Sequence, residues 1–512
     1  MRFAKLTGRL LTPADRLVAA LTNPARRNRV MLAVIACYVV LWTFYGVVAK
    51  SGQDLHVDMT ELVAWSREPA LGYWKHPPLG AWVTMVWFAA FPATDWSYYL
   101  FAMVVIGVAL SAAWHLLGRV LDDEKRVIGI AMLMFIPFFN FHALKFNVNT
   151  ILIPLWAVTI LFFLRSFEHR RKTEAALAGL LAAACMLGKY WSIFLLLGLG
   201  LAALADSRRA AYFGSSAPWI TTAVGTLALV PHLIWLVADE FSPFSYALSI
   251  HGRSTFFDIL RASALYLAGA AGYAAPAIVV ALAATRPNSP AFGDTLAPAT
   301  SDRRLVAIAF WMPLLIPAIA APLLGFGINS LWTMAGWVLL PVVLLSSPFV
   351  SVTRIAATRI VFIAILFPFV ALAASPLIAY AIHKNRGVTQ YSAHLKLLTE
   401  RVSHYWRLTT DRPLLFVGGD ATLVYGTAFY LPGRPSTYPE LDRRAARWID
   451  EKEVKRKGIA LLCPAEFTNC VEKSVTFAGN AGRRFDFQLT RSYFGIVGPT
   501  ATYVIVIAPP EQ

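Results

Sequence analysis

Charge is scarce in this chain. Of its 512 residues only 15% are Asp, Glu, Lys or Arg, while 57% are hydrophobic. A soluble protein carries about a quarter of its residues charged. An aqueous globule cannot hide so much apolar surface, which excludes a soluble enzyme and a disordered chain. Acid is scarcer than base, 29 residues against 46, for a net charge of +17. In a soluble domain that balance points to nucleic acid. Here the basic residues lie between apolar runs, where they set membrane topology, and no nucleic-acid partner is expected. Only four cysteines are present, too few for a metal framework. Cys37 and Cys185 lie inside apolar runs and read as small buried thiols. Cys463 and Cys470 bracket CPAEFTNC in the polar C-terminal part, and form a disulfide if that part faces an oxidising compartment. Neither GxGxxG nor a P-loop occurs, so VGGD ending at Asp420 reads as a turn. No internal repeat is visible, which weakens the case for a transporter built on inverted repeats.

What the chain has is apolar runs. They cover 30–48, 98–117, 127–141, 150–164, 175–188, 192–205, 218–238, 262–284, 305–326, 331–350 and 360–382. This predicts a mostly α, polytopic membrane protein with about eleven transmembrane helices, range about ten to thirteen. Several runs fall short of the roughly 20 residues a lipid-exposed helix needs, so their ends are expected to be buried in protein or to line a cavity.

Residues 1–29 are basic and read as an irregular cytoplasmic segment, not a cleavable signal. Odd-numbered gaps between runs hold Lys50, Arg67, Lys75, Lys145, Lys189, Arg253 and Arg261. Even-numbered gaps hold about twice as many basic residues, which places the N-terminus in the cytoplasm and the C-terminus outside. The expected organisation is a segment 1–29, a membrane module 30–383 with a long first outer loop 50–96, and a domain 384–512. That last part changes to soluble composition. β-like runs at 414–417, 459–462, 485–489 and 503–507, with a helix-compatible stretch at 441–454, predict a small α/β domain on the outer face.

The first outer loop is too long for a connector, and it reads DLHVDMTELVAWSREPALGYWKHPPLGAW. As a helix it puts Asp54, Asp58 and Glu61 on one face, with Leu55, Met59, Leu62 and Ser66 on a neighbouring one. Such a helix suits a membrane surface, its apolar stripe in lipid or protein and its carboxylates facing a cavity. Composition alone equally allows a solvated acidic face. The combination with Lys75-His76-Pro77-Pro78 points to chemistry, because carboxylates act as general bases and cations hold a phosphate leaving group. No cofactor is expected. His56 and these acids are possible divalent-metal donors, but their spacing fits a helix poorly.

The segment from Asp58 through the HPP motif resembles the first outer loop of family 39 glycosyltransferases, GT-C-fold enzymes that use polyprenyl-phosphate sugars. They include protein O-mannosyltransferases, lipid A aminoarabinose transferases and rhizobial galacturonosyltransferases. Aligned on Trp65-Ser66-Arg67 and Gly72-Tyr73, Asp58 falls on the Asp of the family's Asp-Glu motif, and Met59 replaces the Glu. Gly188-Lys189-Tyr190 is similar to the family's Lys-Tyr, and Pro231-His232-Leu233-Ile234-Trp235 is a weaker match. Many relatives carry an Asp in the second outer loop. Counted from Trp156 this chain has Asn149 there, or Asn147 if the register shifts by two.

The resemblance implies a GT-C-type fold in a bacterial-type inner (plasma) membrane, with the C-terminal domain periplasmic. It implies an inverting glycosyltransferase moving sugar from a polyprenyl-phosphate donor to a lipid, glycolipid or protein acceptor of the envelope at the outer leaflet. Asp58 is the expected base, with Asp54 orienting substrate or substituting for it and Glu61 beside them. Lys75, His76, Lys189 and Tyr190, with Asn149, are expected to hold the donor, and His251 and Arg253 of the fourth outer loop have the reach for its phosphate. As an ordinary interfacial anchor beside Tyr190 and Trp191, Lys189 needs no function at all. A flippase or transporter of lipid-linked sugar is the alternative from another class.

Overall fold

The structure, a computed structural model, describes residues 2–252, 255–385, 387 and 393–511. Two compact units share the chain: 1–43, 75–79 and 100–371 form one, and 44–74, 80–99 and 372–512 the other.

The first unit is helical. Each of the eleven apolar runs contains a helix, and among the described residues seven helices are long and apolar enough to cross a membrane, from Arg27–Ala49 to Arg354–Asn385. Shorter elements account for the difference. The run at 331–350 is a 3₁₀ segment, Ser330–Leu339, that passes into Leu340–Leu345, where Pro341 takes a first-turn position needing no N–H.

The N-terminal segment corrects the expectation of irregular chain: Arg2–Thr22 is a helix. Ala14, Val18 and Leu21, spaced for one helical face, are buried. Close crossings use small residues. A Cβ on Gly179 of helix Lys172–Gly188 would lie 2.4 Å from the Thr221 carbonyl oxygen of helix Ala217–Ala238, so the two backbones touch there. Thr221 Oγ1 donates to the Ala175 carbonyl at 3.0 Å across the same contact.

In the second unit, strands β1 (Phe416–Gly419), β2 (Ser436–Pro439), β3 (Ile459–Pro464), β4 (Arg483–Tyr493) and β5 (Ile496–Ala508) form one mixed sheet, ordered β2-β1-β3-β5-β4. β1 runs parallel to β2 and β3, whereas β5 is antiparallel to β3 and β4. β5 is buried continuously over Tyr503–Ile507, where β3 and β4 flank it, and partly exposed before that.

β2 escapes sequence reading because it is four residues long with proline at its end, as edge strands tolerate. The helix expected over 441–454 shrinks to Glu451–Lys457. Glu440 and Leu441 are left-handed, Asp442 accepts the Arg444 N–H, and Asp450 caps the shorter helix through the Lys452 N–H. These local bonds compete with helix.

Asp420 is more than a turn. It caps helix Ala421–Tyr430 by accepting the Leu423 N–H at 3.1 Å. Before it, Gly419 has φ +108°, and a Cβ there would meet the Leu462 carbonyl oxygen at 2.3 Å, so the position needs glycine. Cys463 and Cys470 are disulfide-bonded with Cα atoms 5.8 Å apart, within the reach a disulfide requires.

Candidate functional site

In the second unit the loop-one helix is Val57–Ser66, shorter than the sequence pattern implies. It starts after His56, whose Nδ1 accepts the Asp58 N–H at 3.1 Å and caps the first turn. The same Nδ1 lies 3.5 Å from Asp58 Oδ1. Asp54 therefore does not share a helix face with Asp58. Asp58 and Glu61 do, one turn apart. Its apolar side is taken up by protein: Met59 through Ser66 are buried, and it packs against helix Ala421–Tyr430.

The three carboxylates occupy different environments. Asp54 is fully buried. Arg491 Nη1 donates to its Oδ1 at 2.9 Å and the Lys396 N–H to its Oδ2 at 3.0 Å, with Lys396 Nζ 3.8 Å away. Burial pushes its carboxyl above the usual range, against the pull of Arg491. Lys396 Nζ also donates to Asp95 at 2.7 Å, and Tyr430 donates to Asp95 while accepting the Leu55 N–H. This network ties loop one to helix Leu395–Thr409, helix Ala421–Tyr430 and strand β4. Glu61 is buried as well. Asp58 keeps 37% of its side chain exposed.

In the first unit, Lys189 follows helix Lys172–Gly188 in extended backbone. Its Nζ donates to Asn149 Oδ1 at 2.7 Å and lies 4.8 Å from the centre of the Trp332 ring. Asn147 instead spends its Oδ1 on the backbone N–H groups of Asn149 and Thr150. His251 meets the same Trp332 edge-on, 4.9 Å between ring centres. Lys75 Nζ lies over Tyr246, on the same helix as His251, Ser242–His251. Tyr190 Oη and His232 Nε2 are 2.9 Å apart, and Tyr190 stacks on Phe244.

Lys189 and His251 thus meet on one indole, with Asn149 bonded to the lysine and Lys75 over the preceding turn of the His251 helix. His76 is half-buried beside Lys75. Arg253 lies outside the described residues. Sequence reasoning missed Trp332, Lys396 and Arg491. None belongs to a motif, and tryptophan in an apolar run reads as core or interface. Among the described residues no three His, Cys, Asp or Glu side chains are grouped to hold a metal ion. A cavity of about 350 Å³, lined by Thr159, Phe163, Ala183, Gly200, Tyr212 and Gly225 among others, contains none of the candidate residues.

The helical unit and the small terminal sheet define a polytopic membrane protein of GT-C type. The chain matches ArnT from Cupriavidus metallidurans bound to undecaprenyl phosphate with TM-score 0.62 and 11% identity, covering 94% of this chain and 99% of that one. The apo state of ArnT gives 0.56 and 12%, covering 93% and 98%. In sequence, residues 75–235 match the family model described as dolichyl-phosphate-mannose-protein mannosyltransferase. The lipopolysaccharide core galacturonosyltransferase RgtB of Rhizobium johnstonii is 27% identical over 212 residues, 40% of this chain. The match spans 42% of that relative's length. The family-model match takes in the HPP motif and Lys189-Tyr190, which carried part of the resemblance to GT-C glycosyltransferases, and begins after Asp58.

Proposed function

We propose that this protein is a membrane glycosyltransferase that takes its sugar from a polyprenyl phosphate and passes it to a hydroxyl of an envelope lipid, glycolipid or protein at the outer leaflet. The observation that carries the reading is the difference among the loop-one carboxylates. Asp54 is committed to Arg491 and Glu61 is buried, while Asp58 remains accessible at the first turn of a capped helix. In this reading Asp58 accepts the proton of the acceptor hydroxyl as that oxygen bonds the anomeric carbon. The bond from that carbon to the phosphate oxygen breaks with inversion, and the polyprenyl phosphate leaves with the electron pair. Asp54 acts through the backbone it holds, not on the proton.

Lys189 is the phosphate ligand of the proposal, with Lys75, His76 and His251 adding donors and Tyr190 and Asn149 holding the lysine's surroundings. Each well-aimed donor of this kind is worth a few kcal/mol in the transition state. The likeness to ArnT and RgtB supports a lipid-linked donor and an acceptor of the lipopolysaccharide class. The test is reconstituted protein with a labelled polyprenyl-phosphate sugar and envelope lipid extract. Label appearing in an acceptor supports the proposal, and label crossing the bilayer without transfer refutes it in favour of a carrier.

A further inference from the structure

The hairpin of β4 and β5 is longer than the sheet needs. β3 pairs with β5 only over Tyr503–Ala508, whereas the β4–β5 pairing runs on to Tyr493 and Ile496. At about 3.3 Å per residue, the distal part projects some 23 Å beyond the stretch that β3 joins. Its turn, Phe494-Gly495, is left-handed at both residues, and it ends in apolar side chains. Phe494 is 89% exposed and Val497 73%. Bare phenylalanine and valine at the tip of a two-stranded ribbon leave it open to self-association in water.

The tip is not loose. His383 Nε2 is 2.9 Å from the Ile496 carbonyl oxygen, and a Cβ on Gly498 would collide with the same imidazole. The Tyr493 and Ser51 hydroxyls are 2.7 Å apart, and Arg491 reaches the Ser51 carbonyl. His383 lies in the last turn of the apolar helix Arg354–Asn385, and Ser51 stands two residues after the end of the apolar helix Arg27–Ala49. These two helix ends touch, since a Cβ on Gly52 would lie 2.9 Å from the Ala379 carbonyl oxygen. One and two turns before His383, Tyr380 and Leu377 are exposed, as side chains facing lipid are.

From this we infer that the Phe494–Val497 tip is a membrane anchor, seated in the headgroup and acyl-chain boundary where the first and last spans leave the bilayer. Its partner is the lipid of that leaflet. The elements that fix its depth are the span ends themselves, through His383 and Ser51. Interfacial elements of this kind bury their apolar side about 5–10 Å into that boundary.

Site-directed spin labelling of the full chain in lipid nanodiscs tests the inference. In a background with Cys37→Ala and Cys185→Ala, which spares the disulfide, the label goes on Phe494→Cys or, independently, Val497→Cys. Leu377→Cys is the lipid control and Lys452→Cys, an exposed position of the soluble domain, is the water control. The expected result is that oxygen relaxes the labels at 494 and 497 more than a water-soluble nickel complex does, as at 377 and opposite to 452. A ratio like that at 452 overturns the inference. So does protection from both reagents, which means burial against protein.

Discussion

Removing Arg491 should destabilise the protein more than removing the charge of its partner. At 2.9 Å and an effective dielectric constant near 20, the attraction between Arg491 and Asp54 is about 6 kcal/mol before desolvation is subtracted. Breaking a buried pair from one side typically costs about 3–5 kcal/mol, because the remaining charge stays buried without its partner. In Arg491→Met the stranded group is Asp54, fully buried, with the Lys396 N–H and a Lys396 ammonium at 3.8 Å still near. That residual support puts the cost at the lower end, about 3 kcal/mol. In Asp54→Asn the stranded group is Arg491, which keeps the carbonyls of Ala393 and Ser51, so the loss is about 1–2 kcal/mol.

The two variants also differ in pH dependence. Burial already raises the Asp54 carboxyl and Arg491 opposes that rise, so Arg491→Met raises it further. A carboxyl whose folded-state pKa exceeds its unfolded value contributes stability that is complete below the unfolded pKa and lost as pH rises through the folded one. The deficit of Arg491→Met should therefore shrink on going from pH 7 to pH 5, and the double variant Arg491→Met/Asp54→Asn should lose that trend. Thermal unfolding in detergent, followed by tryptophan fluorescence across pH, measures both. A cost for Asp54→Asn equal to or above that of Arg491→Met, or a pH-independent deficit in Arg491→Met, would refute the reasoning.

Asp58→Asn should lose at least roughly 10²-fold of sugar transfer while unfolding at the wild-type temperature, since the amide keeps the shape and cannot take a proton; near-normal turnover moves the base elsewhere. Lys189→Ala should weaken use of the polyprenyl-phosphate donor, read as donor dependence of transfer, and unchanged kinetics return Lys189 to the role of an interfacial anchor. Reducing the Cys463–Cys470 bond should lower the stability of the C-terminal domain by about 2–3 kcal/mol, and thiol labelling of the unfolded, unreduced chain should find Cys37 and Cys185 only. A reporter active only outside the membrane, fused after Asn385, should be active; activity of a cytoplasmic reporter at that site instead overturns the topology read from the charged gaps.

Much of the fold is legible because helices in lipid must be apolar over a length the bilayer sets, so every apolar run contains a helix. The places that resisted have specific causes. Arg2–Thr22 is patterned on one face only and interrupted by Pro13, and its charges mask the period. The helix at Val57–Ser66 starts three residues late for Asp54 because His56, an uncommon cap, spends its ring nitrogen on the Asp58 N–H. Asp58, Lys189 and Asn149 stand out as polar residues in apolar surroundings. Arg491 does not: it sits more than 400 residues from Asp54 in an unremarkable strand, and only the fold brings the two together.

The bond between Asn149 and Lys189 joins a cation to a neutral group. A carboxylate in place of that amide would fix the ammonium equally well, but it would cancel most of the charge in doing so. The amide orients the lysine and adds no opposing charge of its own. Asn149→Asp, a change of one side-chain group, should therefore act as an electrostatic silencer of Lys189 without moving it. Anion affinity at this spot should then fall while the Lys189 geometry and the protein's stability are preserved.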